Sequence, residues 1–149
     1  MKYIAYGSNM SQEQMAFRCP NARLIGTGYL PNHQLEFYLH ATVEKTRLKR
    51  PRVPVAVWEI DAEDEKRLDR YEGFPTYYIK HQATVHMDDG SKIKGMLYQM
   101  NMFHGNLPQP HYYKGIKDAY EELGFSSEID RVLIRALVRA KYREEYGDR

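Results

Sequence analysis

The sequence of 149 residues has little of what several protein classes require. Its single cysteine, Cys19, excludes an intramolecular disulfide and a cysteine-rich zinc site, so we expect a reducing compartment. No segment approaches the roughly 20 consecutive apolar residues of a membrane-spanning helix, and the first residues lack the apolar run of a signal peptide. The 22 Lys and Arg nearly balance the 20 Asp and Glu. We therefore expect a cytoplasmic protein that neither membranes nor nucleic acids attract through overall charge.

Tyrosine is the residue type present in excess, with 13 copies against 5 Phe and 1 Trp. Each tyrosine joins an apolar ring to a polar hydroxyl, so these side chains could meet water, a core partner or a substrate. A content of 42% hydrophobic and 28% charged residues is typical of a globular protein. The length predicts one domain over residues 1–149.

Apolar alternation and turn signals predict about six strands. The predicted strands are 2–6, 22–30, 33–40, 55–60, 77–87 and 92–100. Residues 44–54 contain two prolines and are expected to form a loop or a strand edge. Capping residues predict helices after Ser11, over 61–73, over 110–124, and over 127–145 as a C-terminal amphipathic helix. Short turns between the strands, with helices outside, predict an α+β fold built on a small mixed β-barrel.

Basic residues cluster in two places. Five Lys and Arg lie within residues 45–52, where they could meet an acidic substrate or an RNA backbone, or form a solvated loop. On the C-terminal helix, arginines recur at every fourth position from Arg131 to Arg143, and we expect this ridge to face solvent. The six histidines lack the spacing of metal ligands, so no metal site is expected.

The turn from Tyr6 to Met10 lies between a predicted strand and a predicted helix. Gly7 permits a positive φ and a close approach of the backbone to a ligand. The free amide groups at the start of the helix could hold a carboxylate or an oxyanion. This segment, with Tyr6, Gly7, Ser8 and Asn9, is either a substrate-binding turn or an ordinary connection between a strand and a helix.

Glu72 lies in the last turn of a predicted helix. The negative end of the helix dipole opposes ionisation of a carboxyl group at that position. If Glu72 is also partly buried, its pKa should be raised, which suits a general base working near neutral pH. The alternative is a solvated surface glutamate.

Several tyrosines could line one interior. Tyr98 shares a strand face with two methionines, and Tyr112 begins the apolar stripe of the third helix. Tyr77 and Tyr78 are adjacent on a strand and point in opposite directions, so only one of them can face the same interior as Tyr98. Packing in the core is the alternative role for all of these rings.

Taken together, these segments resemble the gamma-glutamylcyclotransferase-like family over nearly the whole chain, from Tyr3 to about Leu137. The matching segments are 6–10, Cys19-Pro20, 40–43, 68–75 followed by Tyr77-Tyr78, 97–100, and 108–112 with Ile116. The sequence departs from the family pattern at Gln109, where serine is frequent, and near Ala56, where glycine is frequent.

This resemblance implies an enzyme that acts on a small γ-glutamyl molecule without a metal or an organic cofactor. The α-amine of the substrate would attack its own γ-carbonyl, which releases 5-oxoproline and a free amine or amino acid. Glu72 would be the general acid and base, and Tyr6, Gly7, Ser8, Asn9, Tyr98, Tyr112 and one of Tyr77 and Tyr78 (Tyr78 is our choice) would bind the substrate. The competing hypothesis is a non-catalytic module that binds single-stranded RNA or a small ligand through exposed tyrosines and the 45–52 loop.

Overall fold

The computed structural model describes residues 1–147; the expected domain over 1–149 also includes Asp148 and Arg149, which lie outside the described residues. The strands are β1 Lys2–Ala5, β2 Arg23–Pro31, β3 His33–Tyr38, β4 His40–Lys45, β5 Arg52–Glu59, β6 Tyr78–Met87 and β7 Lys92–Met100. The helices are α1 Gln12–Arg18, α2 Ala62–Glu72, α3 Pro110–Glu122 and α4 Arg135–Tyr146. Short 3₁₀ turns cover Ser8–Met10 and Ser126–Glu128, and a π-helical segment over Ile129–Ile134 leads into α4.

Five strands form a closed barrel in the order β1-β5-β2-β6-β7. Four of the pairings are antiparallel, and the barrel closes through a parallel contact of β1 with β7, where Tyr3 pairs with Met96. The prediction of an α+β fold with a small mixed barrel is therefore confirmed. Strand β5 is buried at every residue from 53 to 58, because it lies between β1 and β2 with both of its faces covered.

The predicted strand 33–40 is wrong in its boundary. The segment 44–54, expected to form a loop or a strand edge, contains the end of β4, a connection and the start of β5. Residues 33–45 form a separate two-stranded sheet of β3 and β4, which turns tightly at Leu39. Leu39 adopts a φ of 68°, a conformation that normally selects glycine or asparagine, so the sequence carries no turn signal there. Strand β5 begins at Arg52 and includes Pro54 opposite Tyr29, because a proline removes only its own N–H from the ladder.

Both ends of α2 are fixed by the residues that the sequence indicated. The Asp61 side chain accepts from the Asp64 amide at 2.8 Å, and the Asp64 side chain accepts in return from the Asp61 amide. At the other end Gly73 adopts the left-handed conformation, with φ of 66°. These caps stop the helix immediately after Glu72 and so determine where that carboxyl group lies.

The arginine ridge of the C-terminal helix does not face solvent along its length, which corrects the expectation. Arg139 and Arg143 contact Glu36 of β3, a carboxylate that is almost completely buried. Arg139 also donates to the carbonyl of Leu35, and Arg143 donates to the carbonyl of Phe37. The two guanidinium groups thus satisfy polar groups of the β3–β4 sheet and attach the C-terminal helix to it.

Replacing Arg143 with methionine should lower the free energy of unfolding by about 2–4 kcal/mol, because it removes a partner of a buried carboxylate and leaves carbonyls unpaired. Urea denaturation measures this loss. The matched control is Arg135→Met at the start of the same helix. Arg135 is exposed and forms no ion pair within residues 1–147, so its replacement should change stability by less than about 0.5 kcal/mol. Equal losses in the two variants would contradict the attachment role of Arg143.

Candidate active site

One cavity of about 140 Å³ brings together the eight residues that were predicted to be catalytic or substrate-binding. The predicted residues around it are Tyr6, Gly7, Ser8, Asn9, Glu72, Tyr78, Tyr98 and Tyr112. They come from the turn after β1, the end of α2, the start of β6, the middle of β7 and the start of α3. Tyr3, His40, Ala41 and Tyr71 complete the wall and were not predicted.

The turn after β1 differs from the prediction in its backbone. Gly7 has φ of −124°, so a positive φ is not the reason for glycine here. A Cβ atom at this position would lie 3.4 Å from the Ala41 Cβ and 3.7 Å from the Tyr112 hydroxyl, both of which belong to the cavity wall. Glycine therefore leaves space inside the cavity and lets a ligand approach the backbone closely.

The 3₁₀ turn Ser8–Met10 contributes Ser8 and Asn9 to the wall of this cavity. Among residues 1–147, the amides of Ser8 and Asn9 donate to no other group of the protein, as expected at the start of a helical turn. The Asn9 side chain instead shapes the turn: its Nδ2 donates to the Tyr3 hydroxyl at 3.0 Å, and its Oδ1 accepts from Arg18. The turn thus offers backbone donors, while its asparagine side chain is already occupied.

Glu72 is the last residue of α2, and its side chain lines the cavity. The following glycine is needed for its left-handed φ and also for space, because a Cβ at Gly73 would lie 2.6 Å from the Tyr77 ring. Within the described residues the Glu72 carboxyl group forms no hydrogen bond and no ion pair. A carboxyl group in this position keeps both oxygens free for a ligand.

Burial raises the pKa of Glu72 from 4.5 to about 7, and the positive charge of Arg18 opposes this rise. The raised pKa agrees with the expectation from sequence, with burial as its principal cause. Arg18 was missed, because its place in the last turn of α1 gives no hint of its target. Its guanidinium group stacks 3.5 Å above the Tyr71 ring and donates to the Ser8 hydroxyl at 3.3 Å.

The tyrosine hydroxyls mostly bond to the protein rather than point into the cavity. Tyr6 donates to the Tyr98 carbonyl at 2.6 Å, Tyr78 to the Ala41 carbonyl at 2.8 Å, and Tyr98 to the Asp69 carboxylate at 2.6 Å. Tyr112 differs, since it accepts from the Ala41 amide at 3.1 Å and retains its own proton for donation. Burial raises the pKa of all four phenols, so they stay protonated and form a rigid wall.

Tyr78, not Tyr77, belongs to this wall. Tyr78 begins β6 and is buried, whereas Tyr77 is 48% exposed and packs its ring against His104 at 5.4 Å. Adjacent residues of an extended chain point in opposite directions, which explains why Tyr78 is buried and Tyr77 is exposed.

The wall residues that the sequence did not predict come from three elements. His40 and Ala41 begin β4, a strand that the sequence did not predict as a separate element. Tyr71 lies beside Glu72 in the segment 68–75 that drew attention to the site, so its position was the available signal. Tyr3 lies on β1, whose weak alternation did not indicate which face is inside.

A second cavity of about 510 Å³ adjoins the first and shares His40, Tyr71, Glu72 and Tyr78 with it. Its own wall is largely apolar and includes Tyr38, Leu39, Met100 and Met102, together with the polar Arg70 and His104. Met102 and Tyr77 are exposed to solvent at its edge. Glu72 therefore lies between a small cavity of mixed polar and apolar lining and a larger, more apolar one.

The described residues hold no cluster of three or more His, Cys, Asp or Glu side chains arranged as a metal site. In the same part of the chain, every helix is too short or too polar to cross a bilayer.

Comparison with known proteins supports the fold and identifies the family. Residues 3–119 match the model of the family described as gamma-glutamyl cyclotransferase, AIG2-like. Gamma-glutamylcyclotransferases of Bos taurus and Homo sapiens are 28% and 27% identical to this chain, and each alignment covers 88% of this chain and 76% of the relative. A solved gamma-glutamyl cyclotransferase superposes with a TM-score of 0.75 at 26% identity, covering 83% of this chain and 79% of the other. The chain therefore belongs to the gamma-glutamyl cyclotransferase, AIG2-like family.

Proposed function

We propose that this protein releases 5-oxoproline and a free amine or amino acid from a small γ-glutamyl molecule. The observation that carries the proposal is the Glu72 carboxyl group, which lines the cavity without a protein partner and has a pKa raised to about 7. A group that is partly ionised at neutral pH can both take up and give back a proton. Membership of the family supports this reaction class over other uses of such a carboxyl group.

The reaction needs one base, one acid and a place for negative charge. Ionised Glu72 takes a proton from the α-ammonium group of the substrate, and the freed nitrogen attacks the γ-carbonyl carbon. A new C–N bond closes the five-membered ring while the carbonyl oxygen becomes an oxyanion. The oxyanion then reforms the carbonyl, the bond to the leaving nitrogen breaks, and protonated Glu72 supplies the proton that this nitrogen requires. The ring nitrogen gives its second proton to the ionised Glu72, which passes it to the released amine, so the products are a neutral lactam and an ammonium group.

Two further features of the cavity assist the reaction. The unpaired amides of Ser8 and Asn9 hold a negative group of the substrate, either the oxyanion or the α-carboxylate. Loss of one hydrogen-bond donor to an oxyanion typically lowers the rate by about 10²–10³. The rigid phenol wall holds the glutamyl chain in the folded shape that brings its amine to its own carbonyl. An amine tethered in the right geometry reacts far faster than a free one.

The competing hypothesis of a tyrosine-based RNA-binding module lacks its expected geometry. Such a module presents exposed rings on which bases can stack. Here Tyr6, Tyr78 and Tyr98 are buried around the cavity, and their hydroxyl groups donate to the protein. The arrangement favours an enclosed small molecule.

Replacing Glu72 with glutamine should reduce kcat for 5-oxoproline release by about 10²–10⁴, because the amide has neither a basic form nor a carboxyl proton to return. Chromatographic measurement of 5-oxoproline formed from a γ-glutamyl amide follows the reaction. The matched control, Glu63→Gln, lies on the same helix, is exposed, and should retain wild-type turnover. Near-wild-type turnover by Glu72→Gln would refute the proposed role.

The pH dependence of kcat/KM should show an acid limb with a midpoint near pH 7, because the base form of Glu72 appears only as the pH rises through its pKa. The midpoint of this limb should lie about 2.5 pH units above the pKa of 4.5 for an ordinary glutamate. A limb centred between pH 4 and 5, the range of an unperturbed carboxyl group, would contradict the link between burial and reactivity.

The second cavity is the place that we propose for the leaving group. It shares Glu72 with the first cavity, so a scissile bond beside Glu72 has the glutamyl group on one side and the leaving amine on the other. The wall there is mainly apolar, with Met100, Met102 and Tyr38. These contacts favour an amine with a sizeable apolar or aromatic body.

Kinetics with paired substrates test this placement. The value of kcat/KM should be at least about tenfold higher for γ-glutamyl phenethylamide than for γ-glutamyl methylamide, because only the first amide buries a phenyl group in the second cavity. Met102→Ala should lower this ratio, whereas Phe17→Ala, an exposed residue that lines neither cavity, should not. Equal kcat/KM values for the two amides would refute the apolar specificity and leave the cyclising activity intact.

A further inference from the structure

A second feature of the molecule has no part in the proposed reaction. A groove of about 730 Å³, here called the basic groove, lies between the start of strand β3, the segment 48–52 and the C-terminal helix. It shares no lining residue with the cavities beside Glu72. A space of this size is typical of sites for small molecules.

The basic groove concentrates positive charge in a protein whose net charge is only +2. Six Lys or Arg side chains line it, against one carboxylate, Glu128. Four of the six form no ion pair with any group in residues 1–147: Lys49, Arg50, Arg131 and Arg135. Like charges around one groove repel each other, and a bound anion would remove that cost.

The remaining two arginines are held in place by the protein. Arg52 stacks 3.6 Å from the centre of the Tyr29 ring and bonds to the nearly buried Glu128 at 3.2 Å. Arg139 is fixed at 3.0 Å by buried Glu36. A guanidinium group has five N–H donors, so both side chains retain donors for a ligand while their positions are already set.

The loop that carries Lys49 and Arg50 is tied at its base. The Asn32 amide donates to the Pro51 carbonyl at 3.0 Å, and the Thr46 amide donates to the Asn32 carbonyl at 2.9 Å. These bonds hold the loop beside the turn between β2 and β3. Three of the five basic side chains in residues 45–52, those of Lys49, Arg50 and Arg52, therefore line a groove beside a tethered loop.

The lining of the basic groove also restricts the kind of anion. Leu35, Leu48, Pro51 and Val132 supply apolar surface between the cations, and Leu48 is 65% exposed. No Phe, Tyr or Trp belongs to the described lining, so the stacking platforms of single-stranded nucleic-acid sites are missing. Arginine forks match the oxygen atoms of phosphate groups.

We propose that the basic groove binds a phosphate-bearing organic molecule of small-ligand size. Its phosphate oxygens lie between the helix arginines, Arg131 and Arg135, and the loop cations, and its apolar part rests on Leu48 and Val132. The ligand thereby bridges the loop and the C-terminal helix. This inference does not depend on the reaction proposed for Glu72.

Isothermal titration of the full chain with inorganic pyrophosphate and with ADP tests the proposal, and adenosine serves as the probe without phosphate. We expect saturable one-to-one binding of both phosphates, with ADP at least as tight as pyrophosphate, and no binding of adenosine. Arg131→Gln/Arg135→Gln should weaken binding by at least about tenfold, since two charge-assisted contacts are lost. Lys92→Gln/Lys94→Gln removes two exposed charges away from the groove and should leave the affinity unchanged.

Three results would overturn the proposal. The first is the absence of saturable binding of both phosphates, and the second is an equal loss of affinity in the two double variants. The third is tighter, length-dependent binding of oligouridylates than of ADP, which would make the groove a nucleic-acid surface. Because Arg131 and Arg135 are exposed and unpaired among the described residues, their variants should unfold at the wild-type temperature, so a loss of binding reports on the groove itself.

Discussion

A carboxyl group enclosed by phenol rings, with no hydrogen-bond partner in residues 1–147, is the constraint on which the site depends. Glu72 can be held there because α2 ends at Gly73 and because the hydroxyls of Tyr6, Tyr78 and Tyr98 find acceptors elsewhere in the protein. With these three hydroxyls satisfied by the protein, the groups of the wall that remain for a ligand include the Glu72 carboxyl, the hydroxyl protons of Tyr3 and Tyr112, and the amides of Ser8 and Asn9. Burial then raises the Glu72 pKa into the range where proton transfer in both directions is possible.

The barrel contributes by bringing distant segments to one end. The parallel contact between β1 and β7 closes the sheet and places the turn after β1 beside Tyr98, whose carbonyl accepts from Tyr6. Asp69 links α2 to the same strand, since it accepts from the Tyr98 hydroxyl and pairs with Lys80 at 2.9 Å. Tyr6, Tyr78, Tyr98 and Tyr112 are thus each bonded to another element of the wall, which holds the cavity in shape.

Local signals in the sequence were sufficient for most of the fold and for much of the site. Capping residues located α2, and with it Glu72, because caps act within a few residues of the chain. The turn at Leu39 could not be predicted, because tertiary contacts hold a left-handed leucine there. Without a turn at this position, the sequence did not show that β4 is a separate strand beginning at His40. The partners of Arg139 and Arg143 were also beyond prediction, since an amphipathic pattern does not reveal a buried carboxylate more than 100 residues away in sequence.

A crystal structure of the protein with 5-oxoproline, the proposed product, would test the central claim most directly. The account predicts that the ring occupies the small cavity, with its nitrogen within hydrogen-bond distance of the Glu72 carboxyl group. One of its oxygens should accept from the amides of Ser8 or Asn9. A product bound elsewhere on the molecule, or one bound in the cavity out of reach of Glu72, would contradict the account.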